Sequence, residues 1–217
     1  GMRSGDARWD ALAYRILFVC FILTTTVGAM TGVGIWFSAS LVNPYSIGSL
    51  LRIFFFGWFA EWIVFVIEVV LILAYFLTWK TWTGERKKAN NRLGWTLGIF
   101  SWITMALIVA VLAFMMSTGN WLQKPSFWTA FLNPVYFPQL AFRTPLALAG
   151  AGLLGLFLAG LFFRKDLDFR DRAFRELARW TLYAIPLVAL GAWWYWSSVP
   201  AAMKGNLVSV LGDRQGR

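Results

Sequence analysis

Apolar residues run along the chain in five stretches, at about 15–42, 47–79, 93–117, 140–163 and 177–199, and the charged residues gather in the links between them. Within each stretch the apolar side chains cover the whole circumference of a helix, an arrangement that lipid accepts and water does not. About 20 helical residues cross a hydrocarbon core of about 30 Å, and the longer stretches predict tilt or extension beyond the bilayer. Strands of a membrane barrel would be about half as long and would alternate apolar with polar. The pattern therefore predicts an all-α integral membrane bundle of about five transmembrane helices, in one domain over 1–217.

The links differ in charge, and the difference predicts orientation. The link after the second stretch carries Lys80, Arg86, Lys87 and Lys88, and the link after the fourth carries Arg164, Lys165, Arg170, Arg172 and Arg175. Both are expected in the cytoplasm, as is the start of the chain with Arg3, Arg8 and Arg15. The first link, Asn43-Pro-Tyr-Ser46, has no charge, and the third, 118–139, holds one lysine among Trp, Phe, Tyr and Pro; these links and the tail after Pro200 are expected outside. Asp6, Trp9 and Asp10 precede the first apolar run, which argues against a signal peptide.

Composition narrows the chemistry. With 59% hydrophobic and 14% charged residues, the chain has too little polar side chain to coat a water-facing surface. The net charge of +10 lies in the links, where orientation accounts for it, so nucleic acid is rejected as a partner and membrane lipid is the first partner. One cysteine, Cys20, permits neither a disulfide framework nor a thiolate cluster within the chain. There is no histidine, which removes the commonest ligand of haem and of catalytic metals and the usual general base near neutral pH. No metal site is expected from this chain alone.

Glu61 and Glu68 are the sharpest chemical signal. Seven residues apart in the second stretch, they share one helix face with carboxyls about 10 Å apart. A carboxyl in lipid costs several kcal/mol, so both should face the bundle interior, as steps of a proton path or as partners of Arg52 and Arg143. Arg143 opens the fourth stretch, with Pro145 suited to a first helical turn. It either snorkels to the outer interface or supplies a cation to a propionate, a quinol oxygen or a buried glutamate. The third link reads as an ordered outer loop, a solvated turn in which Trp121 and Gln123 are the candidate ligand contacts. Gly28, Gly32 and Gly34 form a small-residue stripe where a neighbouring helix, or a flat cofactor or quinone ring, could approach. Tryptophans near the stretch ends, Trp79, Trp121 and Trp193 among them, suit the interfacial belt.

Four motifs, in order, resemble subunit I of the cytochrome bd ubiquinol oxidases. They are Thr31-Gly-Val-Gly-Ile35, Phe55-Phe-Gly-Trp-Phe-Ala-Glu61, Gly119-Asn-Trp-Leu-Gln-Lys-Pro125 and Phe142-Arg-Thr144. The resemblance covers about 18–155 and corresponds to an interior portion of that subunit, without its first haem-bearing helix. It implies that Glu61 stands where the family has an acid linked to proton delivery. It places Arg143 where the family has a haem histidine, and arginine keeps its proton and cannot ligate iron. Haem is therefore expected on partner chains or on a part of the polypeptide outside this sequence, with quinol as the cofactor this chain could meet.

The expected protein is thus a multi-pass subunit of the bacterial inner membrane in a respiratory, quinol-linked redox complex that includes other subunits, cytochromes among them. It contributes a proton and quinol path, not haem ligation, and is not catalytic alone. A non-catalytic anchor for a haem-bearing partner and a small proton-coupled transporter are the alternatives.

Overall fold

The computed structural model describes residues 6–205, and among them every regular element is helical. Helices α1 (Ala7–Ile22) and α2 (Ala29–Val42) form one continuous rod through a π-helical turn at Leu23–Gly28. There the hydroxyls of Thr24, Thr25 and Thr26 donate to the carbonyls of Cys20, Phe21 and Ile22 at 2.8, 2.6 and 2.5 Å. Three successive hydroxyls competing for backbone carbonyls loosen the regular ladder, which suits a π-turn.

The remaining helices are α3 (Pro44–Ile53), α4 (Phe55–Thr78), α5 (Arg86–Met116), the short α6 (Phe127–Phe131), α7 (Tyr136–Phe162) and α8 (Leu167–Ser198). Local capping chemistry sets several starts. Asp6 caps α1, Asn43 accepts from the Ser46 N–H at 3.1 Å ahead of Pro44, Ser126 and Thr129 form a capping box on α6, and Asp166 accepts from the Phe169 N–H at 3.1 Å.

Among the described residues four helical rods are long and apolar enough to cross a membrane: Ala7–Val42, Phe55–Thr78, Arg86–Met116 and Tyr136–Phe162. The protein is a multi-pass, all-helical membrane protein. Helix α8 has 32 residues, but charges crowd its first half and Trp and Tyr its second, so it is less apolar than the other four. It nevertheless lies along α7 as the most extensive helix pair of the fold.

Several element boundaries depart from the sequence pattern. The stretch at 47–79 is two helices, because Phe54 leaves the helical conformation (φ −103°, ψ 19°) and is completely buried. Its ring meets Phe114 edge-on at 5.2 Å and Phe127 at 6.3 Å. The fourth stretch starts earlier than its apolar run, at Tyr136, so Pro145 lies inside α7 and not in its first turn. The fifth begins at Leu167, because Phe169 and Ala173 are buried under an otherwise charged turn.

Two buried clusters hold the bundle, one at each end. At one end Leu50, Phe54, Val109, Ala113, Phe114, Val135 and Tyr136 join α3, α5 and the start of α7. At the other, Leu12, Leu158, Ala159, Phe169 and Ala173 join α1, α7 and α8. The basic links meet at this second end: Lys87 pairs with Asp10, and Arg8 bridges Asp6 and Asp166 at 2.8 and 3.0 Å.

Glycines in close helix contact lie on α5, α7 and α8, not in the first stretch. An added Cβ at Gly191 would stand 2.7 Å from the Ala141 carbonyl oxygen and from the Phe142 Cα, and one at Gly155 would stand 3.0 Å from Leu177. Around Gly32 and Gly34 a Cβ would meet nothing within 4 Å, so these two glycines of α2 carry no packing among the described residues.

Candidate functional site

Helices α4 and α5 pack along much of their lengths, and Glu68 faces that seam. Its Oε1 accepts from the Ser101 hydroxyl at 2.6 Å and its Oε2 from the Thr104 hydroxyl at 2.9 Å. Ser101 and Thr104 are three apart on α5, so one helix face presents both hydroxyls to one carboxyl. Thr104 has a second acceptor in reach, the Phe100 carbonyl at 3.0 Å. A hydroxyl both donates and accepts, so the group can exchange donor and acceptor roles without moving a heavy atom.

Glu61 lies two turns from Glu68 on the same helix and is likewise half-buried. Among the described residues it makes no hydrogen bond or ion pair. One turn away, Trp58 packs edge-on to Trp36 at 4.7 Å, and its indole N–H is buried without an acceptor. Neither acid takes an arginine partner among the described residues: Arg52 is exposed at the end of α3, and Glu68 is satisfied by hydroxyls.

Arg143 is not at the mouth of its helix. It lies seven residues inside α7, about 10 Å from the helix start. Its neighbour Thr144 accepts from the Trp102 indole N–H at 3.1 Å, and Trp102 adjoins Ser101 near the midpoint of α5. The α7 backbone at Arg143 therefore lies level with the stretch of α5 that holds Ser101. On its other side Phe142 stacks on Tyr195 of α8 at 6.0 Å. Arg143 is half-buried and has no carboxylate partner among the described residues. The Glu68–Ser101–Thr104 cluster and the Trp102–Thr144 pair thus form a polar band across α4, α5 and α7, with Arg143 next to Thr144 on α7. Beside it an apolar groove of about 410 Å³ runs between α7 and α8, lined in part by Thr144, Pro145, Leu187, Gly191 and Trp194.

The third link is more ordered than a solvated turn. It contains the short α6 and a single 3-10 turn at Gly119–Leu122, and Trp121 packs edge-on to Phe114 at 5.7 Å against the buried cluster. Gln123 is exposed, away from the polar band. Three functional candidates carried no prominent signal: Ser101, Thr104 and Gln139. Gln139 is 3% exposed near the start of α7 and its Oε1 has no partner among the described residues. A polar amide and an i, i+3 hydroxyl pair inside apolar runs were the available clues.

Among the described residues no three His, Cys, Asp or Glu side chains gather to hold a metal ion. Compared with family models, with curated proteins and with solved structures, the chain matches none.

Proposed function

We propose that the protein is a membrane subunit of a quinol-linked electron-transfer complex in a bacterial inner membrane, with its basic end in the cytoplasm and its haems on companion chains. The observation that carries this reading is Glu68, an intramembrane carboxyl held by two hydroxyls and, among the described residues, by no cation. A purely structural acid at that depth is best neutralised by a fixed positive charge, whereas a carboxyl among hydroxyls can take up and release a proton. Glu68 holds the proton at mid-depth, Ser101 and Thr104 orient its two oxygens, and Glu61 is the next proton-accepting group toward the opposite end. Arg143 attracts an anionic oxygen at the same level, and the α7–α8 groove offers an apolar slot for a quinol tail beside it.

The test uses the native assembly. Glu68→Gln should lower quinol-dependent turnover and proton release by at least about tenfold, equivalent to about 1.4 kcal/mol at the barrier, while assembly is retained. Unchanged turnover and unchanged proton release in both Glu61→Gln and Glu68→Gln would remove the proton role. One observation favours a second reading, an anchor for a haem-bearing partner: no residue of α2 is buried. An assembly that keeps its haem spectrum and turnover in both variants, and loses its haem-bearing chain when α2 is disrupted, would support the anchor.

A further inference from the structure

We infer that the basic end carries a site for the headgroup of an anionic phospholipid, formed by Arg15 of α1 with Arg164 and Lys165 of the α7–α8 link. The Arg15 guanidinium lies over the Phe162 ring at 4.1 Å and 6.0 Å from that of Phe163. Phe162 is the last residue of α7, so this contact brings Arg15 against the segment that continues directly into Arg164 and Lys165. Three cations from two distant parts of the chain thereby share one corner, and all three are exposed.

The acids that could neutralise them are engaged elsewhere. Asp6 and Asp166 are held by Arg8 at 2.8 and 3.0 Å, with Arg172 also 3.8 Å from Asp6, and Asp10 is paired with Lys87. Arg15, Arg164 and Lys165 make no ion pair among the described residues. Asp168 is exposed in the first turn of α8 and Asp171 is paired with Arg170 at 3.3 Å, which leaves the corner net positive.

The surface beside these cations is apolar. Phe18 and Ile22 follow Arg15 at i+3 and i+7 on one face of α1, and both are exposed, as are Leu161 and Phe162 of α7. A cationic corner at the rim of a membrane-spanning helix pair, with exposed apolar side chains running away from it into the bilayer, matches a phosphodiester joined to acyl chains. A soluble anion would use only half of that surface. The stacking of Arg15 on Phe162 orients the guanidinium plane at the helix end and keeps its N–H groups at the rim, toward the headgroup layer.

Native mass spectrometry of the full chain in detergent, titrated with cardiolipin, phosphatidylcholine or inorganic phosphate, tests the site. Each lysine or arginine near an anionic headgroup contributes about fivefold in binding, so the wild type should retain cardiolipin over phosphatidylcholine by at least about tenfold. Arg15→Gln/Arg164→Gln/Lys165→Gln should abolish that preference. Arg164→Gln/Lys165→Gln, confined to exposed link residues, should remove most of it even if the triple variant fails to fold. Arg86→Gln/Lys88→Gln/Arg92→Gln removes equal charge from the start of α5 and should leave the preference intact. Equal loss in this control would show diffuse attraction and overturn the site, as would absence of preference in the wild type. Displacement of the lipid by millimolar inorganic phosphate would mean that acyl contacts add nothing, and would also overturn it.

Discussion

A carboxyl at the middle of a membrane helix persists where its oxygens meet donors, and Glu68 meets two. Interhelical hydrogen bonds in membrane proteins contribute about 0.6 kcal/mol on average and up to about 1.7, so Ser101→Ala should lower bundle stability by an amount in that range. Unfolding in mixed detergent measures this, and the loss should shrink in a Glu68→Gln background if the two groups act on each other. At the basic end, the Arg8 side chain and its backbone N–H hold the Asp6 carboxyl down to about 2, and the Arg8 side chain lowers Asp166 as well. Both folded values lie below the unfolded one. Their contribution is therefore complete above about pH 4 and disappears as the pH falls toward 2. Thermal unfolding scans between pH 6 and pH 2 should show a drop in that interval, which Arg8→Gln flattens. Glu68 was legible as an acid in an apolar run. Its partners were not, because hydroxyls in membrane helices ordinarily bond to their own backbone, as Thr24, Thr31 and Thr78 do here.

Among the elements, the α7–α8 pair shows how small residues set a distance between helices. Gly191 faces the backbone of Ala141 and Phe142, which cannot yield as a flexible side-chain end can. Gly191→Ala should therefore cost about 1–3 kcal/mol through forced separation of the helices. Gly150→Ala, where a Cβ meets nothing within 4 Å, should be neutral or slightly stabilising, since alanine is the better helix former. Unfolding midpoints of the two variants in one detergent compare them directly. Periodicity could not separate these glycines from Gly32 and Gly34, because whether a small residue is in contact depends on the neighbouring helix. The break at Phe54 was hidden for a related reason: neither glycine nor proline marks it, and burial of the Phe54 ring against α5 and α6 sets it.

At the scale of the whole molecule, two apolar clusters close the ends of the bundle and the polar band lies between them. The 79–85 and 163–166 links belong to one end and Gln123 to the other. Maleimide labelling in sealed membrane vesicles should find Lys88→Cys and Lys165→Cys on one face and Gln123→Cys on the opposite face, with Cys20→Ser as background. Labelling of Lys88→Cys and Lys165→Cys from different faces would contradict the bundle. Lipid as solvent, helix as element and the gathering of charge in the links followed from composition and from the lengths of the apolar runs, because these are properties of consecutive residues. The depth of Arg143, the hydroxyls around Glu68 and the corner where Arg15 meets Phe162 did not. Each is a meeting of residues far apart along the chain, brought about by helix packing, and no local pattern encodes which faces come into contact.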